Sequence, residues 1–447
     1  MEQDLTTGSV FKRIVYFSLP YLLSYFLQTL YGMADLFITG QFYGVDTITA
    51  VSNGSQIMHM MTVIIVGLAM GTTVTIGHSV GAKCMEQAEK IIGNTITLFM
   101  GIAVAFTVIL VALVKPIVVL IATPQEAVAG TSIYLLICFI GIPFITAYNI
   151  ISSIFRGLGD SKSPMYFIGI ACVMNIALDY LFMGAFHMGA AGAALGTVCA
   201  QTFSVLVALW VIRRRKTGIS LKKSDFKIER AVIGQVLKIG IPVALQDGFI
   251  QVAFMIITVI ANSRGVSDAA AVGVVEKVIS ALFIVPSSML ATVSALSAQN
   301  LGAGKEKRAT DTLRYATVIT TIYGVIVAVL IQFIAENVVG IFTSDTTVVT
   351  MGSAYIRSYI WDCIFAGIHF SFSGYFAACG KSYIGFLHNI ISITFVRVPG
   401  SYLASKYFTD TLYPMGLAAP AGSLVSVAIC VTAFILLKRK SRVAQTA

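Results

Sequence analysis

Twelve long apolar runs separated by short polar segments account for most of the chain. They lie at approximately 14–39, 47–76, 91–114, 131–155, 164–184, 190–212, 235–262, 270–298, 312–335, 352–378, 383–405 and 415–437. About 20 apolar residues as a helix cross the roughly 30 Å hydrocarbon core of a bilayer, and the runs have that length. Barrel strands would instead be segments of about 10 residues with alternating polarity. The pattern predicts an all-α integral membrane protein of twelve transmembrane helices. The longest polar stretch, Arg213 to Arg230, falls between the sixth and seventh runs. It predicts an N-terminal six-helix lobe at 1–212, a cytoplasmic linker at 213–234 and a C-terminal six-helix lobe at 235–447.

Composition agrees. Of 447 residues, 57% are apolar and 11% charged, against roughly 25% charged in soluble domains. Basic residues mark the connections. With the N-terminus placed in the cytoplasm, 24 of the 30 Lys and Arg fall in cytoplasmic segments, and Lys115, Arg264 and Lys406 fall outside. That bias puts both termini in the cytoplasm of a plasma or inner-membrane protein. The net charge of +10 follows from the same asymmetry and suits anionic lipid, not nucleic acid. The seven cysteines are scattered singly, mostly inside apolar runs, with no CxxC pair, so neither a disulfide framework nor a zinc site is expected. The first run is too long for a cleavable leader. No G-x-x-x-x-G-K-[ST] loop is present, which argues against ATP hydrolysis. No cofactor and no enzymatic activity are expected.

The halves repeat. Shifted by 221 positions, Gly44-Val45 falls on Gly265-Val266, Ala50-Val51 on Ala271-Val272, and Gly81-Ala82 on Gly302-Ala303. Gly159 and Ser161 fall on Gly380 and Ser382, and Pro20 matches Pro242 at a shift of 222. Six spans separate the copies, so they are parallel repeats about an axis along the membrane normal, as in many transporters.

Several local sequences carry more. The first run begins Ser18-Leu19-Pro20 and holds Asp35 within Met33-Ala34-Asp35-Leu36-Phe37. The loop after the second run reads Gly77-His78-Ser79-Val80-Gly81-Ala82-Lys83, and that after the eighth reads Ala298-Gln299-Asn300-Leu301-Gly302-Ala303-Gly304-Lys305. Arg156-Gly157-Leu158-Gly159-Asp160-Ser161-Lys162-Ser163-Pro164 leads into the fifth run, which holds Asn175-Ile176-Ala177-Leu178-Asp179. The sixth opens Gly189-Ala190-Ala191-Gly192-Ala193-Ala194-Leu195-Gly196-Thr197. Over essentially the whole chain, this set resembles the multidrug and toxic compound extrusion (MATE) transporters. The resemblance implies two six-helix lobes related by a pseudo-two-fold axis, around a V-shaped central cleft open to one side at a time. It implies a monomeric secondary active multidrug efflux transporter. Such a protein exports amphipathic or cationic organic compounds in antiport with H⁺ or Na⁺ by alternating access. Within the family the chain looks like the DinF-like branch, not the NorM-like one. The cation site that this branch implies is Asp35, Asn175, Asp179 and Thr197, with Na⁺ the metal alternative to a proton.

The residues point to the same place on their own. A charge inside a span costs about 2.5–3.5 kcal/mol on the insertion scale, and acids there line pathways. Five fall in the runs: Asp35, Asp179, Asp247, Glu276 and Asp362. Asn175 and Asp179, four apart, share a helix face. Carboxylates sharing an apolar site do not both ionise easily, which suits a group that loads and releases a proton. Asn and Thr oxygens serve a proton or Na⁺ equally. The competing reading puts Asp35 and Asp179 at helix ends in headgroup water. Their counterparts in the second half are Ile257 and Gly400, and that of Asn175 is Val396, so the cluster belongs to one lobe.

The second half has its own polar set, Gln246, Asp247, Gln251, Glu276, Lys277, Asp362 and Arg397. It reads either as internal ion pairs, such as Glu276 with Lys277 or Arg397, or as a second cation or drug contact. NorM-like relatives place an acid near Gln251, here an amide. Pro20 and Pro242 kink their helices, as hinges or as static bends. Gln28, Tyr31, Asn149 and the methionines, among them Met33, Met58 and Met255, are candidate lining for an adaptable cavity. The histidines are isolated, and His369 alone is a candidate proton carrier. A lipid or lipid-linked saccharide flippase of the same wider superfamily is the alternative function. Beyond the first turn of a span, the bases are Lys277, Arg357 and Arg397, against five acids, which favours cationic cargo. No selectivity filter or nucleophile–base pairing supports a channel or an enzyme.

Overall fold

A computed structural model describes residues 4–214 and 220–446, with side chains as far as Arg439. Arg215 and Lys216 of the linker, and the side chains of Lys440 and Arg442, lie outside the described residues. Every regular element among the described residues is helical. The helices are α1 (Val10–Phe42), α2 (Val45–Gly81), α3 (Met85–Ala112), α4 (Val128–Ile140 and Ile142–Gly157), α5 (Lys162–Asp179) and α6 (Gly189–Arg214). They continue as α7 (Arg230–Asn262), α8 (Val266–Leu282 and Ile284–Gly302), α9 (Glu306–Gly340), α10 (Thr346–Tyr359 and Asp362–Ala378), α11 (Tyr383–Ser392 and Val398–Tyr407) and α12 (Ala418–Thr446).

Eight of these are long and apolar enough to cross a membrane by themselves, and α4, bent by 51° at Gly141, is a ninth. The other three are α1, whose Tyr, Gln and Pro dilute its apolar run, and the interrupted α10 and α11. Together they give the twelve spans that the apolar pattern predicts. Their outward faces carry exposed Val, Leu, Ile and Phe, including Val108, Val173 and Phe333. These side chains are stable where lipid replaces water.

The chain divides into two compact units, Met1–Thr7 with Val15–Ala244 and Ala298–Gly304, and Gly8–Ile14 with Leu245–Ser297 and Lys305–Ala447. In the first unit, α2, α4 and α6 share a core of Val51, Tyr134, Leu135, Phe139, Ala193 and Ala194. Without a hydrophobic drive between helices in lipid, small residues permit the close contact that holds them. Gly67 and Gly71 on α2 face the α7 backbone at Ala244 and Val236, and Gly240 faces Leu68, with no room for a Cβ at any of them. The first half of α7 is therefore packed into this unit, and α7 changes unit between Ala244 and Leu245, three residues past Pro242. The repeated loop glycines serve the same end. A Cβ on Gly81 would strike Gln299 O and one on Gly302 would strike His78 O, while Gln299 Nε2 donates to Gly157 O at 2.9 Å. The linker is docked rather than loose where described. Asn94 of α3 donates to Asp225 O at 3.0 Å and accepts from Glu229 N at 2.7 Å.

In the second unit, Ile257, Val275, Ile279, Tyr355, Ile356 and Tyr359 form the core. Arg264, in the turn between α7 and α8, is the fastener. Its guanidinium pairs with Asp268 at 2.7 Å and donates to the carbonyls of Ser405, Phe408 and Thr409, each at 2.9 Å.

Candidate functional site

The loop before α5 sets that helix. Gly159 has φ +92°, a conformation open to glycine, and turns the chain so that Asp160 caps α5. Asp160 Oδ1 accepts from Lys162 N and Ser163 N at 3.0 Å each, and Oδ2 from Ser163 Oγ at 2.6 Å. Arg156, just upstream, donates to the Tyr21 hydroxyl at 2.8 Å and lies 3.9 Å from that ring's centroid. This ties the α4 end to α1. The most specific motif of the sequence is thus a device for fixing α5 in place.

From that start, four turns of α5 bring Asn175 and Asp179 to one inward face. Asp35 of α1 and Thr197 of α6 meet them there. Thr197 Oγ1 donates to Asp35 Oδ2 at 3.3 Å, and Asp35 also faces Asp179 and Asn175. Asp35, Asn175 and Asp179 are 3%, 1% and 0% exposed, so neither acid sits in headgroup water at a helix end. Asp35 Oδ1, both Asp179 oxygens and both terminal atoms of the Asn175 amide have no hydrogen-bond partner at good geometry. Buried polar atoms are ordinarily paired. Four of these five atoms are oxygens, and gathered in one place they suit a proton or a hard cation. No group of three or more His, Cys, Asp or Glu that could hold a metal occurs among the described residues. The set is two carboxylates with amide and hydroxyl oxygens, chemistry that suits Na⁺ better than a transition metal.

Two local features complete the site, and neither was evident from sequence. Gly196 of α6 lies directly against the carboxylate of Asp179, where a Cβ would overlap Oδ1. Immediately after Asp179 the helix widens into a π turn, Tyr180–Ala185. Such turns are rare and concentrate at functional positions. The turn ends in a clip, where Tyr43 Oη donates to Met183 O at 3.0 Å and accepts from Gly189 N at 2.9 Å. Of the lining candidates, Tyr31 interacts with Gln201 and Asp35, and Asn149 bonds its own helix at Ile145 O, 2.8 Å.

The second unit divides its polar set. Arg397, buried on a π turn of α11 (Ile393–Arg397), donates to the Tyr359 hydroxyl and lies 5.0 Å from the Phe254 ring centroid. Asp362 and Glu276 answer its charge, and Thr258 Oγ1 donates to Glu276 Oε2 at 3.3 Å. Arg397 thus shares one neighbourhood with Glu276 and Asp362, without a direct hydrogen bond to either carboxylate among the described residues. Gln246 is buried beside Gly385, away from the Arg397 group. Asp247 and Gln251 make no hydrogen bond among the described residues. His369 stacks edge-on to His388, centroids 5.3 Å apart, and His388 Nε2 is 2.9 Å from Ser373 Oγ. His369 is therefore half of a pair that the linear sequence, with 18 residues between the two, does not reveal.

The fold and the buried acids define a multi-pass membrane transporter. The MatE family model matches the chain twice, at residues 20–181 and 242–403. The chain belongs to the MatE family. It is 30% identical over 415 residues to the probable multidrug resistance protein YpnP of Bacillus subtilis, covering 93% of each chain. Among solved structures it superposes on an outward-facing multidrug resistance MATE family transporter with TM-score 0.91 at 20% identity, covering 100% of this chain and 99% of that one. A MOP superfamily transporter from Pyrococcus furiosus, described as having a binding pocket of reversed polarity, matches with TM-score 0.90 at 20% identity, over 98% and 97% of the two chains.

The double match recovers the internal repeat, with both ends 222 residues apart. The loop glycines Gly159 and Gly380 are 221 apart. A π turn closes i→i+5 bonds and holds one residue more than an α turn. Ile393–Arg397 lies within the stretch over which the shift grows from 221 to 222.

Proposed function

We propose that this protein is a secondary active exporter of amphipathic, cationic organic compounds. Export is driven by inward H⁺ or Na⁺ through alternating access in the cell membrane, with both termini in the cytoplasm. The observation that carries the reading is the buried set of Asp35, Asn175 and Asp179 in the first unit, with most of its polar atoms unpaired and Thr197 bonded to Asp35 at its side. A buried dicarboxylate without a cationic partner is stable when it holds a proton or cation and unstable when empty and doubly ionised. That difference can drive a conformational cycle, because an ion shifts an equilibrium by its differential affinity for the two states. YpnP is named a probable multidrug resistance protein, which supports organic compounds as cargo. The pairing of two acids with Asn175 in the N-terminal half supports the DinF-like branch. The two repeats correspond to lobes that move relative to one another, with Pro20 and Pro242 as the bending points. The protein acts as a monomer and needs no cofactor beyond its coupling ion.

A flippase for lipid-linked saccharides would need free positive charge for a pyrophosphate. Arg397 is the buried base of the second unit, and Asp362 and Glu276 already answer it, which argues for cationic cargo.

The test uses purified protein in proteoliposomes. Efflux of a fluorescent organic cation is measured under an imposed pH gradient and, separately, an imposed Na⁺ gradient. Wild type should respond to one or both, and Asp35→Asn to neither. A fully active Asp35→Asn would remove the coupling role of this site.

A further inference from the structure

One groove of the first unit lies apart from the buried acids. It has a volume of about 440 Å³ and an entirely apolar lining, with Leu23 and Leu27 from α1, Tyr166, Gly169 and Val173 from α5, and Phe203 from α6. Leu23, Tyr166, Val173 and Phe203 are exposed, so the groove opens on the outer surface of the helices. In a membrane that surface meets lipid tails.

The groove has one polar end. On α5, Lys162, Tyr166, Gly169 and Val173 follow one another at three or four residues, so Lys162 terminates the stripe that floors the groove. On α1, Tyr16 lies two turns before Leu23 on the same face. The two ends meet. Lys162 Nζ donates to the Tyr16 hydroxyl at 2.7 Å and stands 4.3 Å from that ring's centroid. Lys162 is the first residue of α5, where the helix dipole adds positive potential. Asp160, the acid nearest in sequence, directs its carboxylate to Lys162 N and to Ser163.

Length identifies the occupant. From Lys162 to Val173 is eleven residues, about 16 Å at 1.5 Å per residue. That is close to half of the roughly 30 Å hydrocarbon core: along this stripe the groove itself begins at Tyr166, with the Lys162 cation one helical turn beyond its end, so that together they span one leaflet from headgroup to tail. We infer that the α1–α5 groove holds one anionic phospholipid of the bilayer as a resident ligand, its acyl chain along Gly169 and its phosphate on Lys162 and Tyr16. A cationic drug is disfavoured, since the groove is lined by no acid and Asp160 nearby directs its carboxylate to the backbone and side chain of the α5 start.

Gly169 supplies the decisive variant. A Cβ there meets only Leu27 Cδ1 at 3.8 Å, so a larger side chain extends into the groove without striking backbone. Full-length protein in detergent is titrated with phosphatidylglycerol, with phosphatidylcholine of the same chains and with inorganic phosphate, and bound lipid is counted by native mass spectrometry. Wild type should retain one phosphatidylglycerol, preferred over phosphatidylcholine by about fivefold, the effect of one basic group at a membrane surface. Lys162→Gln should bring the two lipids to parity. Gly169→Phe, or Gly169→Leu where the larger ring lowers expression, should remove both, and Gly169→Ala should keep both. Unchanged lipid binding in both Lys162→Gln and Gly169→Phe overturns the inference. So does competition by inorganic phosphate equal to that by lipid, which would mark an anion site with no role for the groove.

Discussion

Gly196→Ala adds one methyl and removes no chemical group, yet it should uncouple transport. The new Cβ would overlap Asp179 Oδ1, and Asp179 is fully buried, so the carboxylate moves only by displacing its neighbours. Overpacking of this kind costs about 1–3 kcal/mol. If the whole penalty falls on the ion-loaded geometry, affinity for the coupling ion drops roughly five- to 150-fold, at 1.4 kcal/mol per decade. The assay is initial efflux rate against concentration of the driving ion in proteoliposomes. Gly196→Ala should shift the half-saturating concentration by that range, with the maximal rate less affected. Gly101→Ala is the control, because a Cβ there meets nothing within 4 Å; it should leave the ion dependence untouched. A Gly196→Ala protein with the wild-type ion dependence would refute the placement of Asp179 at the coupling site.

Thr197→Ala removes a single 3.3 Å hydrogen bond to Asp35 and should weaken ion dependence by no more than about tenfold, near the lower limit for bonds to charged groups. Complete loss of transport would give Thr197 a larger role than this bond explains. Arg397→Ala removes the charge-assisted hydrogen bond to Tyr359 and should destabilise the protein by about 1.5–3 kcal/mol, read as a fall in the thermal midpoint in detergent. An unchanged midpoint would mean that this bond contributes nothing to stability. Asp160→Ala removes the cap of α5 and should cost about 0.5–2 kcal/mol in the same measurement, with Asp160→Asn retaining most of it.

Much of this protein was readable before any coordinates. Spans follow from length and polarity alone, because a bilayer admits only helices or closed barrels. The repeat was legible in glycines and prolines, and the family profile recovers it. Asn175 and Asp179 were legible as a pair because four residues make one helical turn. Asp35 was legible as an acid inside an apolar run, its pairing with Thr197 came from the family resemblance, and the structure has both beside that pair. Gly196 offered no signal: in Gly-Ala-Ala-Gly-Ala-Ala-Leu-Gly every small residue looks alike. Only its contact with Asp179 distinguishes it. The same holds for Gln299, whose segment by sequence follows the eighth span yet packs with the first unit.

The sequence by itself therefore determined what depends on solvent and local period: twelve membrane helices, two copies, and acids that a bilayer tolerates only for a reason. Tertiary structure decided which of those acids meet. Asp35, Asp179 and Thr197 come from three helices, and Arg397 faces Tyr359 and Asp362 from a different helix. Chain separation carries no information about such meetings, since helix packing in lipid is set by the close fit of small residues. The π turns at Tyr180–Ala185 and Ile393–Arg397 belong to the same category. Each is a one-residue adjustment of register that becomes visible only when the helix is built against its neighbours.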